Sequence, residues 1–275
     1  MQDRVLVTGG GGYIGRHVVR SLLDLGHDVT ATVRPGSASA VDSRATVVSA
    51  NVLDPGFDVA SLAETPFDSV VHLAWQDGFS HNAPSHMAQL SNHFIFLERL
   101  VTWGVTRVSV LGTMHEVGYW EGAIDADTPT NPLTLYGIAK DALRRAVFIH
   151  LAGRAQVQWL RCFYIHGDDR NNNSIFTRIL NLVDEGKSTL PFTSGTNKYD
   201  FIEVGELARQ IAGISGLEGV SGILNCSSGV PTSLRDQVES FIAEHELPIS
   251  LEYGAFPDRP YDSPIVWGRP TISLS

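Results

Sequence analysis

The residues Thr8-Gly9-Gly10-Gly11-Gly12-Tyr13-Ile14-Gly15 constrain the fold of this chain more than any others. They follow a β-branched run, Val5-Leu6-Val7, and lead into Ile14, Val18, Leu22 and Leu25, which recur at helical spacing until Gly26 stops the helix. A turn of this kind needs glycine for three reasons: a tight bend, close approach of backbone to a pyrophosphate, and close helix–strand packing. Gly9, Gly12 and Gly15 stand at the spacing of those needs, with Gly11, Tyr13 and Ile14 between them. The helix start beyond offers unbonded N–H groups and the positive end of its dipole to phosphate oxygens. Strand before and helix after separate such a motif from an ordinary glycine turn, so the turn predicts a dinucleotide site.

Further strand-like runs follow at 29–33, 46–48, 70–73, 108–111 and 157–160, with helical patterns near 86–103 and 134–151. Strands alternating with helices imply right-handed crossovers and a parallel sheet covered on both faces, an α/β architecture. After Gly167 the rhythm changes. Asn171-Asn172-Asn173 reads as a polar loop, a helix is expected over 174–185, and another near 204–214 returns to the main domain. The tail Phe256-Pro257-Asp258-Arg259-Pro260-Tyr261-Asp262 is rich in proline and aromatics. The expected division is a dinucleotide-binding domain over 1–167, to which 199–225 return, and a smaller interleaved lobe over 168–198 and 226–275 that closes on the substrate.

A net charge of -10 argues against nucleic acid as partner. No stretch approaches the ~18 apolar residues of a membrane span, and the chain enters its first strand without a signal peptide. The two cysteines, Cys162 and Cys226, sit in apolar runs and form no disulfide framework. These features predict a cytoplasmic protein. The ten histidines show no metal-ligand spacing, and no metal is expected.

The second strand ends at Val33, followed by Arg34, where NAD enzymes carry an acid for the adenosine ribose. A guanidinium binds a 2′-phosphate in a forked geometry, so NADP(H) is preferred, with NAD(H) the alternative. Tyr136 and Lys140, four residues apart, share a helix face. A phenol titrates near ~10 in water, and a neighbouring ammonium is expected to lower that value. The phenol can then exchange a proton with a carbonyl or hydroxyl oxygen. Thr113, after the fifth strand run, can supply a further hydroxyl to the same oxygen.

At these residues the sequence resembles the extended short-chain dehydrogenase/reductases, the NAD-dependent epimerase/dehydratase family. The matching pieces run in order along nearly the whole chain: Thr8-Gly9 to Gly15, His72-Leu73-Ala74, Asn92, Thr113, Tyr136 with Lys140, Leu160-Arg161-Cys162-Phe163, Asp200-Phe201-Ile202, and Asn225 before Gly229. The resemblance implies a Rossmann-type doubly wound sheet and a catalytic set of Thr113, Tyr136 and Lys140. It implies that Lys140 holds the nicotinamide ribose, that Asn51 and Val52 lie by the adenine, and that Leu73, Ala74 and Phe163 line the cofactor. It also implies a homodimer formed through the helices near 86–103 and 134–151.

Departures from the family pattern narrow the activity. The 4,6-dehydratases of the family carry an Asp-Glu pair directly after the catalytic threonine; here Met114-His115 stand there, and methionine is no general acid. Tyr164 stands where many members have asparagine, and Tyr199 where they have arginine. Trp75, His115, Glu116, Trp120, Tyr164 and Arg259 are the candidate substrate contacts. The leading expectation is an NADPH-dependent reductase of a 4-keto-6-deoxyhexose carried on dTDP or a similar nucleotide. A nucleotide-sugar 4-epimerase that keeps NAD bound, a reductase of non-nucleotide ketones, and a non-catalytic NADP-binding sensor are the alternatives.

Overall fold

Val5, Leu6 and Val7 are buried in sequence rather than in alternation, the pattern of a strand covered on both faces. In this computed structural model, which describes residues 2–36, 41–167, 170, 174–257 and 262–271, they lie in β1 (Arg4–Thr8) at the heart of the larger sheet. In chain order come α1 (Gly15–Asp24), β2 (Asp28–Val33), β3 (Thr46–Ser49), β4 (Ser69–His72), α2 (Ser85–Trp103), β5 (Arg107–Thr113), β6 (Gly122–Ile124), α3 (Leu135–His150), β7 (Gln156–Cys162), β8 (Tyr164–His166), α4 (Ile175–Asp184) and β9 (Thr189–Pro191). They are followed by β10 (Lys198–Glu203), α5 (Val204–Ser215), β11 (Gly222–Cys226), β12 (Pro231–Ser233), α6 (Leu234–Glu244), β13 (Ser250–Glu252) and β14 (Ile265–Gly268).

Among the described residues the larger sheet has seven parallel strands in the order β11-β7-β5-β4-β1-β2-β3. One face buries Val18, Val19 and Leu22 of α1 with Leu207, Ala208 and Ile211 of α5. The other buries Phe96, Leu97 and Leu100 of α2 with Leu143 and Val147 of α3. Each of the valine, leucine, isoleucine and phenylalanine side chains contributes roughly 1.5–3 kcal/mol on leaving water. The doubly wound parallel sheet is thus present as the sequence predicts, and among the described residues no helix is long and apolar enough to cross a membrane.

A second sheet, ordered β12-β10-β14-β6 with β8 on β10, builds the lobe over a core that includes Phe176, Phe201 and Phe241. Two details differ from the sequence reading. Residues 199–203 pair within this lobe sheet as part of β10, and the return to the larger sheet begins at α5. The reason is Asp200. Its buried carboxylate accepts the N–H groups of Ser228, Gly229 and Gly268, tying β10 to the β11–β12 turn and to β14. The helix α6 was not foreseen. Arg259 and Tyr261 lie outside the described residues.

Candidate active site

The glycine turn has the shape of a phosphate cradle. Gly9 has φ +69°, and a Cβ there would lie 2.9 Å from the backbone of Ala74. A Cβ on Gly15 would lie 2.1 Å from Gly9 O, and one on Gly10 would lie 2.7 Å from the Ala31 side chain. Gly10, absent from the spacing argument, is therefore required by its packing on β2. At the start of α1, Ile14 is the N-cap and no side chain accepts the first N–H groups, whereas Thr134 caps α3 by accepting from Gly137 N. A helix start without a side-chain cap, beside a turn of four glycines, fits the diphosphate of a nicotinamide dinucleotide. Arg34 follows the last residue of β2 and is exposed; Asn51 is exposed, while the Val52 side chain is buried in the core.

Beneath the reacting end lies a closed set of rings and bonds. Thr8 Oγ1 accepts the N–H groups of Leu73 and Ala74, each at 3.2 Å. Its own proton is therefore directed to His72 Nδ1 at 2.8 Å, and His72 Nε2–H donates to His93 Nδ1 at 2.9 Å. Burial pushes His72 down to about 3, helped by the Lys140 charge, and lowers His93 well below the usual value. The neutral His93 ring stacks on Trp75 at 4.2 Å. Trp75 Nε1 donates to His86 Nδ1, and the Lys140 ammonium sits 3.8 Å from the Trp75 ring centre. Lys140 Nζ donates to Leu111 O at 2.6 Å. Burial lowers its ammonium to about 8, with Cys162 and Glu116 acting in the opposite direction.

Tyr136 lies in the first turn of α3, where its N–H donates to His81 O at 2.8 Å. The Thr113 hydroxyl at the end of β5 acts on the phenol and opposes the effect of its burial, so phenol, hydroxyl and ammonium lie on one side of the larger sheet's end. The phenol's pKa is raised, by burial first and then by Cys162, with Thr113 opposing. This reverses the expected lowering by Lys140. The ammonium is held against Leu111 O and Trp75, 5.9 Å from the centre of the phenol ring. A neutral phenol beside a second hydroxyl can donate a proton to a carbonyl oxygen.

Glu116 is not a substrate contact in this structure. Thr113 and Glu116 form a capping box around the short turn Met114–Glu116, and the carboxylate turns inward. It accepts Thr113 N–H at 2.8 Å and Trp159 Nε1–H at 2.7 Å, with Arg144 and Arg161 at 3.5 and 3.6 Å. Burial raises its pKa against those partners. A Cβ on Gly112 would lie 2.1 Å from Trp159 Nε1, so that glycine makes room for the Trp159–Glu116 bond. The pattern Thr-x-x-Glu before a turn is a capping-box signal legible in sequence.

Trp120 donates Nε1–H to Ala123 O and packs against the lobe core, and the Phe163 side chain is buried in that core rather than open to a ligand. His115 does reach the reacting end, its ring centre 6.2 Å from that of Tyr136, and Tyr164 lies behind it, 6.3 Å from His115. The two departures Tyr164 and Tyr199 meet at 4.5 Å on neighbouring strands and form one aromatic wall. His81, in the loop between β4 and α2, stacks on Tyr136 at 5.4 Å and was missed, since loop residues carry no periodic signal.

Residues 5–215 match the NAD dependent epimerase/dehydratase family. The chain is 46% identical over 272 residues to dTDP-6-deoxy-L-talose 4-dehydrogenase (NAD(+)) of Aggregatibacter actinomycetemcomitans, covering 96% of this chain and 98% of that protein. It is 28% identical to the UDP-glucose 4-epimerase of Corynebacterium glutamicum, over 90% of this chain and 83% of the relative. The solved UDP-N-acetylglucosamine 4-epimerase from Methanobrevibacter ruminantium M1, in complex with UDP-N-acetylmuramic acid, superimposes with a TM-score of 0.84 at 20% identity, covering 98% and 90% of the two chains. The chain therefore belongs to the NAD dependent epimerase/dehydratase family and is a nicotinamide-dependent oxidoreductase of the short-chain dehydrogenase/reductase type.

Proposed function

We propose that this enzyme interconverts the C4 ketone and C4 hydroxyl of a dTDP-linked 6-deoxyhexose, acting as a 4-ketoreductase in the reducing direction. The observation that carries this reading is the near full-length likeness, at 46% identity, to a dTDP-6-deoxy-L-talose 4-dehydrogenase. Tyr136 gives its proton to the C4 oxygen during reduction and takes one during oxidation. Thr113 Oγ1 hydrogen-bonds to the same oxygen and aligns it with the phenol. Lys140, fixed by Leu111 O and the Trp75 ring, holds the ribose and keeps positive charge beside the developing alkoxide. When bound, the nicotinamide supplies or accepts the hydride at C4. A dehydratase is disfavoured: Met114 follows Thr113, and the Glu116 carboxylate faces the interior.

The fold of the turn suits either nicotinamide cofactor, and two observations bear on the choice. The relative's name specifies NAD(+), while Val33-Arg34 leaves no acid at the end of β2 to repel a 2′-phosphate. We read the enzyme as accepting both cofactors, with Arg34 giving NADP(H) its entry. Exposed Met87 on α2 and exposed Ile138 and Ile149 on α3 support a homodimer paired through these helices.

Mixing the protein with a dTDP-4-keto-6-deoxyhexose and either reduced cofactor tests the reading. Stoichiometric loss of absorbance at the nicotinamide band is expected, and no loss with this or related 4-ketosugars would overturn it. Interconversion of 4-hydroxy sugars without net cofactor consumption would identify a 4-epimerase instead. Arg34→Ala is expected to raise the KM for NADPH roughly tenfold more than that for NADH; equal effects would remove Arg34 from cofactor choice.

A further inference from the structure

Two imidazoles stand beside the phenol on different segments. His81 comes from the loop between β4 and α2, and His115 from the turn after β5. Their ring centres are 4.3 Å apart, and both rings are half-buried. The His81 ring lies within 11° of parallel to the Tyr136 ring. The backbone holds both in place. His81 O accepts Tyr136 N–H, and a Cβ on Gly137 would lie 2.4 Å from His115 O, so this glycine lets α3 approach the His115 turn. Yet among the described residues neither imidazole makes a hydrogen bond through its ring nitrogens. The neighbouring His72, His86 and His93 all do. Ring nitrogens that are not fully buried and have no protein partner are open to a polar group of a bound ligand.

We propose that His81 and His115 together form the subsite that reads the sugar hydroxyl next to the reacting carbon, at C3. This rests on the reading of the enzyme as a C4 oxidoreductase of a 6-deoxyhexose. With Tyr136 bonded to the C4 oxygen, rings packed around the phenol face the adjoining ring carbon. The charge state fits hydroxyls rather than the diphosphate. Burial and then His81 push His115 down to about 3, and burial with His86 lowers His81. Each neutral ring offers one N–H donor and one acceptor nitrogen, the complement of a hydroxyl, which both donates and accepts. From its place after Thr113, His115 is a candidate sugar contact; the structure supplies its partner from a loop 34 positions earlier and makes the two a unit.

The test compares wild type with His81→Phe and His115→Phe, which keep a ring and remove its nitrogens. Substrates are the dTDP-6-deoxyhexose and its 3-deoxy analogue, and binding of dTDP alone and of NADH is measured alongside. Each variant should lose roughly tenfold or more in kcat/KM on the full substrate while binding dTDP and NADH as wild type does. Wild type should lose a comparable factor on the 3-deoxy analogue, and the variants should lose little further. This arm needs only the wild-type fold. Wild type that turns over both sugars equally, or variants active to within about twofold of wild type, would overturn the pair alone. Wild type inactive on every dTDP-6-deoxyhexose would overturn the C4 reading and the pair with it.

Discussion

Below Tyr136 the polar groups are bonded to one another. Lys140 is held by Leu111 O and the Trp75 ring, Trp75 by His86 and His93, and His93 through His72 to Thr8. Beside Tyr136 the pattern is the reverse, for among the described residues the imidazoles of His81 and His115 pack on other rings and make no hydrogen bond through their ring nitrogens. The floor repeats one geometry at every turnover, and a bonded network fixes it at low reorganisation cost. The wall must meet a ligand, so its hydrogen-bonding capacity stays open to one.

The sharpest break would come at the phenol. Tyr136→Phe should lower kcat by about 10²–10⁴-fold with cofactor binding intact, measured by steady-state kinetics and by nicotinamide fluorescence titration. Near-normal activity would move proton transfer out of the floor altogether. Next in size is Glu116, which anchors the floor from behind through Thr113 N and Trp159. Glu116→Ala strands Arg161, itself fully buried, and should cost about 3–5 kcal/mol in denaturant unfolding. Glu116→Gln should cost less, because its amide oxygen still accepts Thr113 N–H and Trp159 Nε1–H. A loss under about 1 kcal/mol for the alanine variant would mean that the floor does not lean on this carboxylate.

The floor also predicts a pH dependence. Lys140 faces Tyr136, Cys162, Glu116, His72 and His93, and burial already lowers its ammonium to about 8. The charged form supports the reaction, so activity should fall as pH rises through about 8. The Trp75 ring favours the cation. Trp75→Leu should therefore lower the Lys140 pKa further and move the alkaline limb of kcat/KM down by roughly one unit. An unmoved limb in a folded variant would show that the ring packs without tuning the charge.

The same division explains what could be read from sequence. Much of the floor was legible because local spacing dictates it: the glycine turn by three-residue steps, and Tyr136 with Lys140 by one helical turn. The His72–His93 bond was not, since it joins a strand to a helix 21 residues away and exists only once the sheet is assembled. Glu116 is in the loop after Thr113, where the sequence suggests a substrate contact, but the capping box turns its side chain inward. The wall draws on β4–α2 loop, β5 turn and lobe strands. No period links such residues, and only the tertiary fold gathers them.

The smallest effect tests the joint between floor and wall. Asn82 Oδ1 accepts Leu135 N–H at 3.2 Å, next to the bond from Tyr136 N to His81 O at 2.8 Å. The loop that carries His81 thus caps the helix that carries Tyr136. Asn82→Ala removes one of these two bonds at an exposed site and should cost about 0.5–1 kcal/mol of stability. If floor and wall are separable, the loosened loop should raise the KM for the sugar by about two- to threefold and leave kcat nearly unchanged, since the bonds below Tyr136 are untouched. A fall in kcat at constant KM would reverse that assignment: the loop would then position the phenol, and His81 would belong with the floor.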